Sequence, residues 1–181
     1  LPGTRLPDYA ELQCLTNFTF LRGASWPEEM VARAVDLGYS ALAITDECSL
    51  AGVVRAHVQA KKQKLPLILG SQFRLEDDAG PLPVQLVLLA MNKDGYGNLS
   101  ELITLARSHA AKGSYQLRPD DLAHPDTRHA HLRGMPDCLA LLVPDHGLEP
   151  SRLDGHAAWL AATFPDRCWL ALNLPNRADD P

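Results

Sequence analysis

Positive charge is scarce in this sequence. Lys and Arg together number 17 against 22 Asp and Glu, which gives a formal net charge of -5 at pH 7. Because binding to nucleic-acid phosphates depends on clustered cations, this balance excludes a chain that is basic as a whole. Any contact with nucleic acid must therefore be local or be made by another part of a longer protein.

Long apolar runs are also missing. No run approaches the roughly 18 residues that indicate a membrane-spanning helix. The first residues lack the apolar core of a secretory signal peptide. We therefore expect a cytoplasmic protein that makes no membrane contact.

Cysteine is sparse, and the common catalytic motifs are absent. The four cysteines, Cys14, Cys48, Cys138 and Cys168, are widely spaced and form no CxxC pair. This spacing is typical of reduced core thiols rather than of a metal or redox site. No GxSxG elbow and no phosphate-binding loop motif occurs, so the sequence does not support nucleophilic catalysis or nucleotide binding.

What is present is the composition of a folded domain. Hydrophobic residues make up 46% of the 181 residues and charged residues 22%. These values are near those of ordinary globular proteins, and the length suits one domain with a sizeable core. We therefore predict a single domain over residues 1–181.

Apolar segments alternate with segments of helical periodicity. The predicted helices begin near Ser25, Leu50, Asn98 and Leu153. Parallel α/β architecture, as a barrel or an open sheet, follows from this alternation. The predicted strands cover residues 9–16, 41–45, 65–70, 84–91, 138–144 and 168–174.

Three local expectations can be checked against a structure. Ser25 to Glu28 fits a helix capping box, with Gly38 ending that helix. The second helix shows an apolar stripe that consists of Leu50, Val53, Val54, His57 and Val58. The turn-rich stretch 76–83 indicates a loop.

Polar side chains cluster at the predicted ends of the first three strands. Alternation puts Glu11, Gln13 and Leu15 on one face of strand one. Asp46 and Glu47 follow strand two, and Gln72 follows strand three. Because the carboxyl ends of parallel strands share one edge, we expect Glu11, Asp46, Glu47 and Gln72 to converge in one cleft.

Four stretches carry a resemblance to a known family: residues 9–25, 37–54, 65–75 and 86–106. In order and spacing they resemble the PHP domain at the N-terminus of bacterial C-family DNA polymerases. That resemblance implies a distorted (β/α)7 barrel, which this chain would leave incomplete at its C-terminal side. The parent chain is expected to continue into polymerase domains.

The chain departs from the family at the positions that bind metal. Replicative members typically read His-x-His-x-His where this sequence has Glu11, Gln13 and Leu15. They read Thr-Asp-His where it has Thr45, Asp46 and Glu47, and an acidic residue where it has Gln72. Only Asp46 is retained. The patterns ELQxxxNFxFLRGAS and ITDECSLAGVV look like the error-prone, damage-inducible branch, in which the metal site is lost.

The ligand losses predict a fragment without metal and without catalysis, because an amide is a weak ligand and Leu15 offers none. Asp46, Glu47 and Glu11 could still hold Mg²⁺ weakly, because this ion accepts carboxylate ligands. Arg22 stands where many relatives have Asp. We expect its guanidinium to pair with one of these three carboxylates.

For the parent protein, the resemblance implies an error-prone translesion DNA-directed DNA polymerase that uses Mg²⁺ in a palm domain outside this chain. It also implies primed DNA, the sliding clamp and accessory mutagenesis proteins as partners. One alternative is a metal-dependent phosphoesterase, either a 3′ to 5′ exonuclease or a pyrophosphatase. Another is a free-standing sugar or amino-acid phosphatase of the PHP superfamily.

Two further features are given structural interpretations. His129 and His131 have metal-ligand spacing, but they lie in an irregular Pro-rich segment and are interpreted as loop histidines. Lys61, Lys62 and Lys64 suit the C-terminal end of a helix, where cations oppose the helix dipole.

Overall fold

The computed structural model describes residues 8–172 of the chain. Its strands are β1 (Ala10–Glu11), β2 (Ala41–Ile44), β3 (Leu67–Asp77), β4 (Gly80–Ala90), β5 (Cys138–Pro144) and β6 (Cys168–Leu170). Its helices are α1 (Pro27–Asp36), α2 (Val53–Gln63), α3 (Lys93–Ser108), α4 (Pro119–Ala123) and α5 (Pro150–Thr163). A 3₁₀ helix covers Thr127–Leu132. The predicted sixth strand extends to residue 174, and its last two residues lie outside the described range.

The chain divides into two compact units, one ending at Ser71 and the other beginning at Gln72. Strand β3 starts in the first unit and continues into the second. Within residues 8–172, no helix is long and apolar enough to cross a membrane.

The first unit has parallel pairing. β1 pairs with β2, and β2 pairs with the start of β3, where Ile44 lies opposite Leu69. Its core is formed by side chains from both helices and the strands. The buried members are Cys14, Val31, Ala34, Leu42, Ile44, Ala56, Ala60 and Leu65.

Helix α1 begins one residue later than expected. Its N-cap is Trp26, whose amide donates to the Glu29 carboxylate at 2.8 Å. The predicted box from Ser25 to Glu28 is therefore wrong by one position, because Pro27 occupies the first helical turn. Gly38, at φ 73°, follows the helix end as predicted.

Helix α2 buries Val53 of the predicted stripe but not the other helical members of that stripe. Val53, Ala56 and Ala60 are buried, whereas Val54 is 69% exposed and Val58 49% exposed. His57 is exposed as well, so its placement on the buried stripe is wrong. The buried alanines belong to the same core cluster as Val31 and Ala34 of α1, which requires close approach and favours small side chains.

The second unit departs from the all-parallel expectation. β3 and β4 are neighbouring strands joined at Asp78 and Ala79, so most of the stretch predicted as a loop is a hairpin. β4 pairs with β5 in antiparallel register, and β5 pairs with β6 in parallel. The architecture is therefore mixed α/β.

Candidate functional site

Asp46 follows β2 and is completely buried. Its Oδ1 accepts hydrogen bonds from the Thr16 amide at 2.8 Å and the Thr19 hydroxyl at 2.7 Å. Its Oδ2 accepts one from the Thr16 hydroxyl at 2.8 Å. Both carboxylate oxygens are thus satisfied by neutral donors of the loop that follows β1.

Neighbouring polar groups extend this network. The Thr19 hydroxyl accepts from the Glu47 amide at 3.0 Å, and the Ser71 hydroxyl donates to the Asp46 carbonyl at 2.7 Å. Thr45 and Cys14 are joined by three hydrogen bonds. The Cys14 amide donates to the Thr45 hydroxyl, and the amide and hydroxyl of Thr45 both donate to the Cys14 carbonyl. The Asp46 network therefore joins the loop after β1 to the end of β2 and to Ser71 within β3.

Gly52, just before α2, leaves the space that the carboxylate fills. A methyl group added there would lie 2.8 Å from Asp46 Oδ2 and 3.0 Å from the Thr16 hydroxyl oxygen. The site therefore depends on a residue without a side chain as well as on its donors.

Arg22 pairs with Glu47, which confirms the predicted pairing with a carboxylate. The Arg22 side chain is 42% exposed and that of Glu47 is 19% exposed. The ion pair is therefore partly exposed to solvent. Asp46 takes no part in it and is hydrogen-bonded to Thr16 and Thr19 instead.

Glu11 makes its side-chain hydrogen bonds to residues two positions away in the sequence. It accepts from the Tyr9 hydroxyl at 2.9 Å and from the Gln13 amide at 3.0 Å. The first of these bonds is the main reason that the pKa of Tyr9 rises to about 12. Glu11 lies opposite Leu42 of β2. Leu42 precedes Asp46 by four residues, and four residues of extended chain span roughly 13 Å. It is not among the groups that contact Asp46.

Glu11, Gln13 and Leu15 line one cavity of about 320 Å³. Met30 and Arg33 of α1 line the same cavity. Leu15 and Met30 make part of the cavity wall apolar. An apolar wall does not suit a hydrated cation.

Gln72 begins the second unit and is buried. Its side-chain amide donates to the Gln85 side-chain oxygen at 3.2 Å. The expectation that Gln72 shares a cleft with Asp46 stays a prediction.

His129 and His131 bind separate carboxylates. His129 contacts Asp126 at 2.9 Å, and His131 contacts Glu101 at 2.9 Å. Within the described part of the chain, no group of three or more His, Cys, Asp or Glu side chains is placed to hold a metal ion.

Sequence reasoning identified Asp46, Glu47 and Arg22 but missed Thr16 and Thr19. Two hydroxyl residues three apart, directly after a strand that runs beside a buried carboxylate, are the signal that would have found them. A neutral hydroxyl donor can satisfy a carboxylate without adding charge.

A metal does not fit the Asp46 site. The Asp46 oxygens already accept three hydrogen bonds, and Glu47 is paired with a guanidinium. The remaining positions offer a carboxylate held by Tyr9, an amide and a leucine. Asp46 would therefore stand nearly alone as a ligand, whereas a catalytic zinc site uses three protein ligands.

Comparison with known proteins defines the class. Residues 11–164 match the PHP domain family, and the chain belongs to that family. It is 61% identical over 175 residues to the error-prone DNA polymerase of Bordetella parapertussis, a match that covers 97% of this chain and 17% of the relative. It is 58% identical over 176 residues to the error-prone DNA polymerase of Ralstonia nicotianae, where the shares are 97% and 16%. The chain thus spans about a sixth of the length of these curated relatives.

Two solved structures share the fold. A metal-dependent phosphoesterase from Bifidobacterium adolescentis aligns with a TM-score of 0.53 and 16% identity, covering 84% of this chain and 75% of that one. An amidohydrolase from Chromobacterium violaceum, solved with sulfate and no metal, aligns with a TM-score of 0.62 and 12% identity, covering 85% and 74%. At these identities the likeness concerns the fold alone.

Proposed function

We propose that this chain is the N-terminal PHP domain of an error-prone DNA polymerase and that the domain itself is structural rather than catalytic. The identity to error-prone DNA polymerases over 97% of the chain supports the parent activity. DNA is then the partner of the parent protein, and contacts with the sliding clamp and accessory mutagenesis proteins are part of the same proposal.

The structural role is supported by the hydrogen bonds of the buried Asp46 carboxylate. A hydrolytic PHP site needs a held metal with an open position for water. Here the retained acidic residue accepts three protein hydrogen bonds instead, and the neighbouring Glu47 has Arg22 as its cation. The same residues that would begin a metal site therefore connect a loop to two strands.

The test uses the complete polymerase chain and its Asp46→Asn variant. Primer extension is measured beside hydrolysis of a model phosphodiester and of a mismatched primer 3′ end, each with Mg²⁺, Mn²⁺ and Zn²⁺. We expect primer extension from both proteins and equal background hydrolysis from both.

A surface change, Asp154→Asn, is the matched control, because Asp154 is exposed on α5. Metal-dependent hydrolysis that Asp46→Asn abolishes and Asp154→Asn leaves intact would establish the phosphoesterase alternative. Absence of primer extension from the unchanged protein would remove the polymerase assignment.

A further inference from the structure

The loop between β1 and α1 displays apolar side chains to solvent. Phe20 is 83% exposed, Leu21 88% and Phe18 39%. Contiguous apolar exposure of this kind marks an interaction surface more often than an isolated exposed leucine does. Leu21 also has φ 63°, a left-handed conformation that a branched side chain rarely adopts. The exposed apolar side chains and the strained backbone of Leu21 therefore occur together at the tip of this loop.

The tip is held in place by the Asp46 network. Thr16 and Thr19, which flank Phe18, both bind the buried carboxylate. The Gly23 amide donates to the Thr19 carbonyl at 2.9 Å. A methyl group on Gly23 would lie 1.9 Å from the Thr16 carbonyl oxygen, so the loop closes on itself tightly. The apolar side chains are thus presented on an ordered support, which lowers the entropy lost on binding.

We propose that the loop from Thr16 to Gly23 is a docking surface for the remainder of the same polymerase polypeptide, and this inference rests on the proposed function. Asp46 is then a positioning residue that presents Phe20 and Leu21. The Asp46 carboxylate does not contact the docked segment. It affects docking only by holding the loop from Thr16 to Gly23 in position.

The size of the patch favours a tethered partner. Aromatic side chains bury about 150–250 Å² each, so Phe18, Phe20 and Leu21 together supply several hundred Å². A specific complex between separate proteins buries about 800 Å² on each partner. A covalently linked partner needs less area, because the linker raises its effective concentration to about the millimolar range. Such a partner is present in the relatives, because the segment that matches this chain is only 17% of the length of one of them. The rest of that polypeptide is covalently linked to the matching segment.

Site-specific photo-crosslinking tests the proposal in the complete polymerase. Phe20 is replaced by p-benzoylphenylalanine, and Val54, which is 69% exposed on α2, is replaced in a matched control. Because Phe20 is almost fully exposed, the replacement leaves the packing of the domain unchanged. We expect crosslinks from position 20 to peptides outside residues 1–181 in the same chain, at a yield independent of protein concentration and at least about threefold above that of position 54.

Adding Asp46→Asn should lower the crosslinking yield at position 20 and leave the yield at position 54 unchanged. Crosslinks mainly to a second copy or to another protein would overturn the proposal, as would a yield no higher than that of the control. Primer extension by the same preparations separates the two claims. If extension is absent while the intramolecular crosslink forms, the polymerase assignment fails and the docking surface stands.

Discussion

At the scale of single residues, the buried Asp46 carboxylate holds the site together through three hydrogen bonds. A buried carboxylate is stable only where its oxygens are satisfied, and Thr16 and Thr19 satisfy both. Removing it leaves three buried donors without their acceptor. The donors and the acceptor lie 27 to 30 positions apart in sequence, so the loss would release a long-range connection.

We therefore expect Asp46→Ala to lower the free energy of unfolding by about 3 kcal/mol, because unsatisfied buried donors retain their desolvation cost. Asp46→Asn should cost less, about 1–2 kcal/mol, because the amide keeps one acceptor oxygen. Urea denaturation followed by far-UV circular dichroism measures both. A loss below about 0.5 kcal/mol for Asp46→Ala would contradict a structural role.

Arg22 is expected to matter much less. The pair with Glu47 is partly solvated, so Arg22→Ala should cost no more than about 1 kcal/mol. This is smaller than a buried ion pair would give, and the difference follows from the 42% exposure of the arginine. A double-mutant cycle with Glu47→Ala isolates the pair. A coupling energy above about 2 kcal/mol would show that the pair is more desolvated than the structure indicates.

Two buried cysteines make the domain sensitive to alkaline pH. Burial raises the pKa of Cys14 to about 12 and that of Cys138 to about 11. Both thiols should therefore stay protonated and unreactive toward iodoacetamide at pH 8, whereas the half-buried Cys168 should label first.

The sign of the stability effect follows from these shifts. An unfolded thiol ionises near pH 9 and the folded one only near 11 to 12, so stability is full below pH 9 and falls as pH rises through that window. Labelling followed by mass spectrometry, and melting temperatures between pH 8 and 11, measure the two effects. Fast labelling of Cys14 in the folded protein would contradict the burial.

At the scale of elements, sequence periodicity predicted the order of the main helices and strands but not all of their bounds. The first predicted strand, 9–16, is reduced to Ala10–Glu11, and the third, 65–70, extends to Asp77 and so includes Gln72. The packed face of α2 was predicted only in part. Val54 and Val58 dominated the apolar pattern, yet Ala56 and Ala60 are buried in the core that also contains α1 residues. Hydropathy ranks valine above alanine, but close helix contact selects small side chains. The β3–β4 hairpin was missed because Pro81 and Pro83 resemble loop residues, although both lie within strand β4.

The candidate site was predictable only in part. Carboxylates at strand ends are visible in sequence because parallel strands share an edge. The partners of Asp46 were not, because Thr16 and Thr19 lie in an irregular loop whose path depends on the tertiary fold. Arg22 could be found because it stands where many members of the resembling family have Asp and follows the first predicted strand, in a loop expected near the carboxylates.

Helix α3 offers a matched pair of glycines. A methyl group on Gly95 would lie 2.1 Å from the Asp137 carbonyl oxygen, whereas one on Gly97 would meet nothing within 4 Å. We expect Gly95→Ala to destabilise the protein by at least about 2 kcal/mol through this clash. Gly97→Ala should stabilise it by up to about 1 kcal/mol, because alanine favours the helix. Equal effects in thermal denaturation would show that α3 does not approach Asp137 so closely.

At the scale of the whole molecule, the net charge of this domain does not favour a part in the DNA binding proposed for the parent polymerase. The net charge of -5 gives no overall attraction for phosphates. Lys61, Lys62 and Lys64 lie in the last turn of α2 and at its C-cap, where they oppose the helix dipole. Their placement is that of a solvated helix end.

Replacing all three lysines with glutamine in the complete polymerase should therefore leave the salt dependence of DNA binding unchanged. Each lost phosphate contact would reduce the slope of log K against log salt by about 0.9. Binding measured by fluorescence anisotropy across a salt series gives that slope. A reduction of one or more would place DNA on this helix.

The hydrogen bonds of Asp46 also separate the stability of this site from its ligand content. Histidines introduced together at positions 11, 13 and 15 would leave the three bonds from Thr16 and Thr19 to Asp46 in place. The loop after β1 would therefore keep its attachment whether or not a metal ion was bound.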